Sequence, residues 1–214
     1  MSSATTRALS ALILLPLLLA VIWWAPHWLF DAVLVVTAFL AALELRRLVR
    51  DQIPFAALVA VYLIVPIYLL QRIRDYHGPG ALMTLIGVIV VSDTAQFYTG
   101  RGFGRRKLAP AISPKKTVEG AIGGAVFGAM AGVVCTYRWL PAIPPVTALV
   151  ASLLIAIAGM AGDLFESWLK RRAGVKDSGD LIPGHGGMLD RIDSWLFASP
   201  VFWLFLSLFV RTYV

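Results

Sequence analysis

Seven apolar runs, each near the length that crosses a bilayer, account for most of this sequence: roughly 8–24, 28–45, 53–71, 81–98, 118–137, 147–168 and 190–210. A hydrocarbon core about 30 Å thick needs about 20 mostly apolar residues in helical form. The runs are continuous rather than alternating, so they predict helices and not barrel strands. With 59% hydrophobic and 14% charged residues, a soluble fold of this length could not hide its apolar surface. The expected fold class is all-α, a polytopic transmembrane helical bundle of about seven spans. Residues 1–80 are expected to form N-terminal membrane helices and 81–214 the helices that carry the chemistry. Arg7 followed by ALSALILLPLLLAVIWW resembles a signal peptide, but no small-residue cleavage site follows, so it is expected to stay as a first span. Pro66 predicts a kink in span three. Cys135 is the sole cysteine, so no intrachain disulfide can form.

Charge orients the bundle. The net charge of +7 would suggest nucleic acid in a soluble protein, but here the cations must first be placed relative to lipid. With the N-terminus cytoplasmic, one side collects Arg7, Arg46, Arg47, Arg50, Arg101, Arg105, Arg106, Lys107, Lys115, Lys116, Lys170, Arg171, Arg172, Lys176 and Arg191. The other keeps Arg72, Arg74, Arg138 and Arg211. Shifting the count by one span inverts the bias. Both large polar loops, 99–117 and 169–189, then face the same side. Trp23, Trp24 and Trp28 mark a membrane interface, and His27 and His77 fall in outer loops without an expected chemical role.

Polar chemistry concentrates in two blocks. In GMAGDLFESWLKRR, Asp163, Glu166, Ser167 and Lys170 recur at i, i+3, i+4 and i+7, one face of a helix. A carboxylate at membrane depth costs roughly 2.5 kcal/mol or more unless paired or wet, so Asp163 is a functional candidate. KDSGDLIPGHGGMLDRID follows; its Pro183 and glycines 184, 186 and 187 interrupt any helix, and glycine backbone can approach an anion closely. Asp190 and Asp193 then open the last span. Carboxylates, glycines and cations together suit Mg²⁺ carrying a polyphosphate. The second block runs from Asp93 and Gln96 through GRGFGRRK to ISPKKTVEG, where Ser113, Lys115, Lys116 and Thr117 offer donors to an anion at a helix start. Gly120, Gly124, Gly128 and Gly132 put a smooth groove on span five, expected to serve helix packing. There is no Walker A motif and no full dinucleotide fingerprint.

The run Ser167, Lys170, Arg171, Lys176, Asp177, Gly179, Pro183, Gly184, His185, Gly186, Gly187, Asp190, Arg191 and Asp193 resembles the signature of phosphatidate cytidylyltransferases, or CDP-diacylglycerol synthases. Asp93 to Gly100 with FGRRKLAPAISPKKTVEG is similar to that family's second block. The resemblance covers about residues 85–214. It implies that CTP and phosphatidic acid give CDP-diacylglycerol and pyrophosphate for phospholipid synthesis. It also implies Mg²⁺, with a second cation left open, a homodimer, and an active site at the cytoplasmic face of a bacterial inner membrane. Asp163 and Asp190 match the family's metal carboxylates. Lys170, Arg171, Lys176, Asp177, His185 and Asp193 match its reaction-site positions. Substrate contacts are expected from Asp93, Lys115, Lys116, Thr117, Ser167, Gly184, Gly186, Gly187 and Arg191. His185 either donates to a phosphate or braces the turn. The expected partners are CTP, phosphatidic acid and membrane lipid, and no nucleic acid.

A phosphate monoester with a second pKa of about 6 is already mostly a dianion at neutral pH and needs no general base. That accords with the lack of a Ser/His/Asp arrangement. The alternatives are a CTP-dependent polyprenol kinase, whose alcohol nucleophile would press Asp190 or Asp193 into service as a base, and a cytidylyltransferase for another lipid phosphate. An anion transporter would call for polar residues midway along several spans, which the runs do not show. A member of the family without activity is a further alternative.

Overall fold

The computed structural model describes residues 12, 16–49, 54–181 and 186–210. Residues 16–24 are helical (α1). There follow α2 (His27–Leu48), α3 (Phe55–His77), α4 (Pro79–Phe103), α5 (Val118–Trp139), α6 (Pro145–Arg172) and α7 (Leu189–Phe209). Among the described residues six helices, α2 to α7, are long and apolar enough to cross a membrane. They correspond to the second through seventh expected spans. Of the first expected span, 8–24, residues 12 and 16–24 are described and belong to helix, while 8–11 and 13–15 lie outside the described residues. The chain is a mostly helical, multi-pass membrane protein.

Local chemistry sets the boundaries. Pro79 and Pro145 stand in the first turns of α4 and α6, where a missing N–H is harmless. Gly174, at φ +75, ends α6; its N–H reaches Arg171 O at 3.1 Å and the Val175 N–H reaches Lys170 O at 2.9 Å. Pro66 distorts α3 as expected, but through a π-helical turn at Val59–Ile64 on its N-terminal side. A proline cannot donate to the carbonyl four residues back, and the wider turn absorbs that defect.

One departure from an all-helical reading lies between α4 and α5. Loop 99–117 holds a small antiparallel hairpin, β1 (Lys107–Ala109) and β2 (Ser113–Thr117), with Lys107 opposite Thr117 and Ala109 opposite Ser113. Helix α4 also continues through the glycine-rich GRGF segment to Phe103. The hairpin folds back on α5: the Val118 N–H reaches Arg106 O at 2.9 Å, and Glu119 accepts from the Arg105 and Arg106 amides at 3.0 and 3.2 Å.

Helices α4 and α5 form the closest pair. A Cβ at Gly124 would meet Ser92 O at 2.9 Å, and one at Gly128 would meet Ser92 Cβ at 2.9 Å and Val88 O at 3.3 Å. At Gly132 a Cβ would collide with the Ser152 side chain on α6. The glycine groove thus seats one helix between two others, with backbone and small side chains in direct contact. The hydrophobic core around it joins Leu70 and Ile73 of α3 to Leu82, Leu85 and Ile89 of α4, Ile155 of α6 and Phe202 of α7.

Overpacking such a contact destabilises by about 1–3 kcal/mol. Gly128→Leu is therefore expected to lower the unfolding temperature of the detergent-purified protein. Gly102→Ala, which meets nothing within 4 Å, should leave it unchanged or raise it slightly.

Candidate active site

The polar groups gather where the ends of α2, α4, α6 and α7 meet the hairpin and the 173–188 segment. The helical face foreseen on α6 is realised: Lys170 pairs with Glu166 one turn back, and Ser167 Oγ lies 3.4 Å from Asp163 Oδ1. Lys170 reaches further. Its Nζ lies 2.6 Å from Asp190 Oδ1 on α7, so one ammonium spans two carboxylates and ties the two helices. Glu166 is fully buried and its Oε1 accepts no hydrogen bond among the described residues.

From the hairpin, Lys116 forms an ion pair with Asp163 Oδ2. Arg171 Nε donates to Ile112 O at 3.2 Å and its Nη1 to Val175 O at 3.0 Å. The two polar loops, far apart in sequence, therefore stand at the same end of the bundle, as the charge count requires.

Asp190 is heavily engaged. Besides Lys170, it accepts through Oδ2 from Ser178 N at 3.0 Å, Ser178 Oγ at 2.9 Å and Gly187 N at 2.9 Å. Gly187, expected to present its N–H to a phosphate, gives it here to Asp190. Gly186 adopts φ +80, and a Cβ there would meet Asp190 Oδ2 at 2.7 Å. Asp193 Oδ1 accepts from Ser194 N at 2.7 Å, and its carboxylate lies within electrostatic reach of Asp163 and Asp93.

The remaining expected residues divide by role. Thr117 is buried and caps α5, its Oγ1 accepting from Gly120 N at 3.1 Å. Asp93, Lys115, Lys176, Asp177 and Arg191 are exposed. Gly184 and His185 lie outside the described residues. Two buried groups escaped the sequence reading. Glu44, on α2, is 5% exposed and accepts from the 173–188 segment and the start of α7. The hydroxyl of Tyr62, in the π-turn, has no hydrogen-bond partner among the described residues and lies within electrostatic reach of Asp193, Glu166, Asp163 and Asp190. An apolar groove of about 540 Å³ opens beside it, lined by residues that include Pro54, Leu58, Phe165, Phe197 and Pro200.

Carboxylates outnumber ammonium groups. Asp93, Asp163, Glu166, Asp190 and Asp193 cluster around Lys116 and Lys170. Among the described residues no set of three His, Cys, Asp or Glu side chains forms a ready metal cage. Mg²⁺ seldom needs one, because it usually takes one or two carboxylates and completes its shell with water and substrate phosphates. An excess of hard oxygen donors, with Glu166 Oε1 unpaired, fits such an ion.

Residues 49–209 match the cytidylyltransferase family. The chain is 40% identical to the phosphatidate cytidylyltransferase of Bacillus subtilis (strain 168) over 162 residues, which is 74% of this chain and 60% of that protein. It is 46% identical to the uncharacterized protein YnbB of Escherichia coli (strain K12), covering 59% of this chain and 43% of the other. It is 44% identical to the phosphatidate cytidylyltransferase of Brucella suis biovar 1 (strain 1330), covering 66% and 52%. The chain belongs to the cytidylyltransferase family. It spans about half the length of these curated relatives, 43 to 60%.

Removing one partner of a buried ion pair costs about 3–5 kcal/mol, since the other charge is left uncompensated. Lys170→Met should therefore lower the unfolding temperature markedly, and Lys170→Met with Glu166→Gln should recover part of the loss. Equal stabilities for the two variants and the wild type would show that the bridge is not holding α6 to α7.

Proposed function

We propose that this chain transfers CMP from CTP to phosphatidic acid, releasing pyrophosphate and forming CDP-diacylglycerol, with its N-terminus and polar end facing the cytoplasm of a bacterial inner membrane. The observation that carries the reading is the meeting of two lysines, Lys116 from the hairpin and Lys170 from α6, over an acidic cluster at one end of a membrane bundle. Membership of the cytidylyltransferase family and the names of the relatives support it.

The reaction joins two anions. A phosphate oxygen of the lipid attacks the α-phosphorus of CTP in line; the new P–O bond forms as the bond to the β-phosphate oxygen breaks, and the electron pair leaves with pyrophosphate. No proton has to be removed from the nucleophile, so the site needs charge neutralisation and alignment more than a base. Lys116 and Lys170 supply cationic charge from two elements. Each sits on a carboxylate it can exchange for a phosphate oxygen, with Asp163 and Asp190 keeping the ammonium groups in place until substrate arrives. Asp163 Oδ2 and Asp190 Oδ1, the oxygens those lysines cover, are the ones that would hold Mg²⁺, which when bound supplies neutralising charge to the leaving pyrophosphate. Arg171, Lys115 and Lys176 stand exposed at the same end to gather anions. The apolar groove beside Tyr62 adjoins the cluster and suits an acyl chain.

The test is to incubate purified protein with labelled CTP, Mg²⁺ and phosphatidic acid, then to identify the labelled lipid. A CMP-bearing lipid and stoichiometric pyrophosphate are expected. Asp163→Asn and Lys116→Ala should each lower turnover about 100-fold or more, the scale of losing one preorganised charge-stabilising group. Transfer of only the γ-phosphate to a lipid alcohol, or full turnover in both variants, would contradict the proposal.

A further inference from the structure

Glu44 lies on α2, ahead of the residues 49–209 that match the family. Its surroundings in sequence, LELRRL, read as the end of an ordinary span. In the fold its carboxylate is buried against the segment that carries the signature. Oε1 accepts from Met188 N at 2.9 Å, and Oε2 from Leu189 N at 2.8 Å and Ser178 Oγ at 2.9 Å. Leu189 begins α7 and Met188 is its N-cap residue, so Glu44 caps from another helix two amides that have no partner within their own, at the positive end of the helix dipole. The backbone is shaped around it. A Cβ at Gly179 would meet Glu44 Oε1 at 2.7 Å, and one at Gly187 would collide with Glu44 Oε2.

Glu44 and Asp190 share one donor. The Ser178 hydroxyl is 2.9 Å from both Glu44 Oε2 and Asp190 Oδ2, yet it has a single proton to donate. Each carboxylate also binds the far end of the same segment, Glu44 at Met188 and Leu189, Asp190 at Gly187. Together they hold Ser178 against the start of α7. Asp190 is in turn the partner of Lys170. Glu44 is therefore linked to the reacting charges through Asp190, without touching them.

We propose that Glu44 is a positioning residue: by capping α7 and dividing Ser178 with Asp190, it fixes the start of α7 and, through Asp190, the placement of Lys170. The proposal rests on the cytidylyltransferase reading of the site. A misplacement of about 1 Å at a reaction site can lower turnover about 100-fold, whereas a group that binds neither substrate leaves KM little changed.

The test compares full-length wild type with Glu44→Ala and Glu44→Gln in detergent. Amide hydrogen exchange is followed at 187–189, and at 88–132 as a control for folding. CMP transfer is measured with kcat and KM for each substrate. In Glu44→Ala, exchange at 187–189 should quicken at least about tenfold with 88–132 unchanged. Its kcat should fall about 10- to 100-fold, and KM for phosphatidic acid should stay within about twofold. Glu44→Gln keeps one acceptor oxygen and should recover part of both losses. Wild-type exchange and kcat in Glu44→Ala would overturn the proposal. So would a loss shared equally by both variants and accompanied by faster exchange across 88–132, which would make Glu44 a general support of the fold. If the wild type fails to transfer CMP, the functional reading fails, while exchange at 187–189 still decides whether Glu44 holds the start of α7.

Discussion

The ammonium of Lys170, held between Glu166 and Asp190, is the interaction on which the rest of the site depends. It sits where two membrane helices end and water begins, a region of intermediate dielectric in which charges attract strongly and are costly to leave alone. Glu166 is fully buried and needs a cation. Asp190 organises the loop and needs one as well. A single lysine serves both, which leaves the cluster rich in negative charge. A protein built only for stability would gain little from that excess; the proposed binding of metal and polyphosphate would use it.

The bundle exists to bring these charges into register. The glycines of α5 let it lie against α4 and α6 with backbone nearly touching. That packing fixes the hairpin that precedes α5, and the hairpin carries Lys116 to Asp163. At the other edge, α2 contributes Glu44 to the start of α7. The site therefore draws on four helices and two connecting segments. Its geometry reflects helix packing across the whole chain more than the flexibility of its loops.

Much of this was legible in the sequence, for identifiable reasons. The spans could be read because lipid demands length and apolarity. The face of Asp163, Glu166, Ser167 and Lys170 followed from helical periodicity, and the common side of the two loops followed from the lysine and arginine bias. The hairpin was not legible, because three- and five-residue strands of Lys, Pro and Ser carry no alternating pattern. The pairing of Lys116 with Asp163 depends on that hairpin and was hidden with it. The partners of Glu44 lie 134 to 145 residues away, and a glutamate at a span end looks solvated until the fold is known. In sequence, glycines 184, 186 and 187 suit an approaching anion. At 187, and at 179, the structure shows another reason for glycine, since a side chain there would displace a buried carboxylate.

Lys116 and Lys170, now resting on carboxylates, are proposed to be the charges that take up nucleotide phosphates. The decisive measurement is an experimental structure with CTP and Mg²⁺ bound. Both Nζ atoms are expected on phosphate oxygens, with oxygens of Asp163 and Asp190 on the metal. A triphosphate seated elsewhere, with the Lys116–Asp163 and Lys170–Asp190 pairs intact, would contradict it.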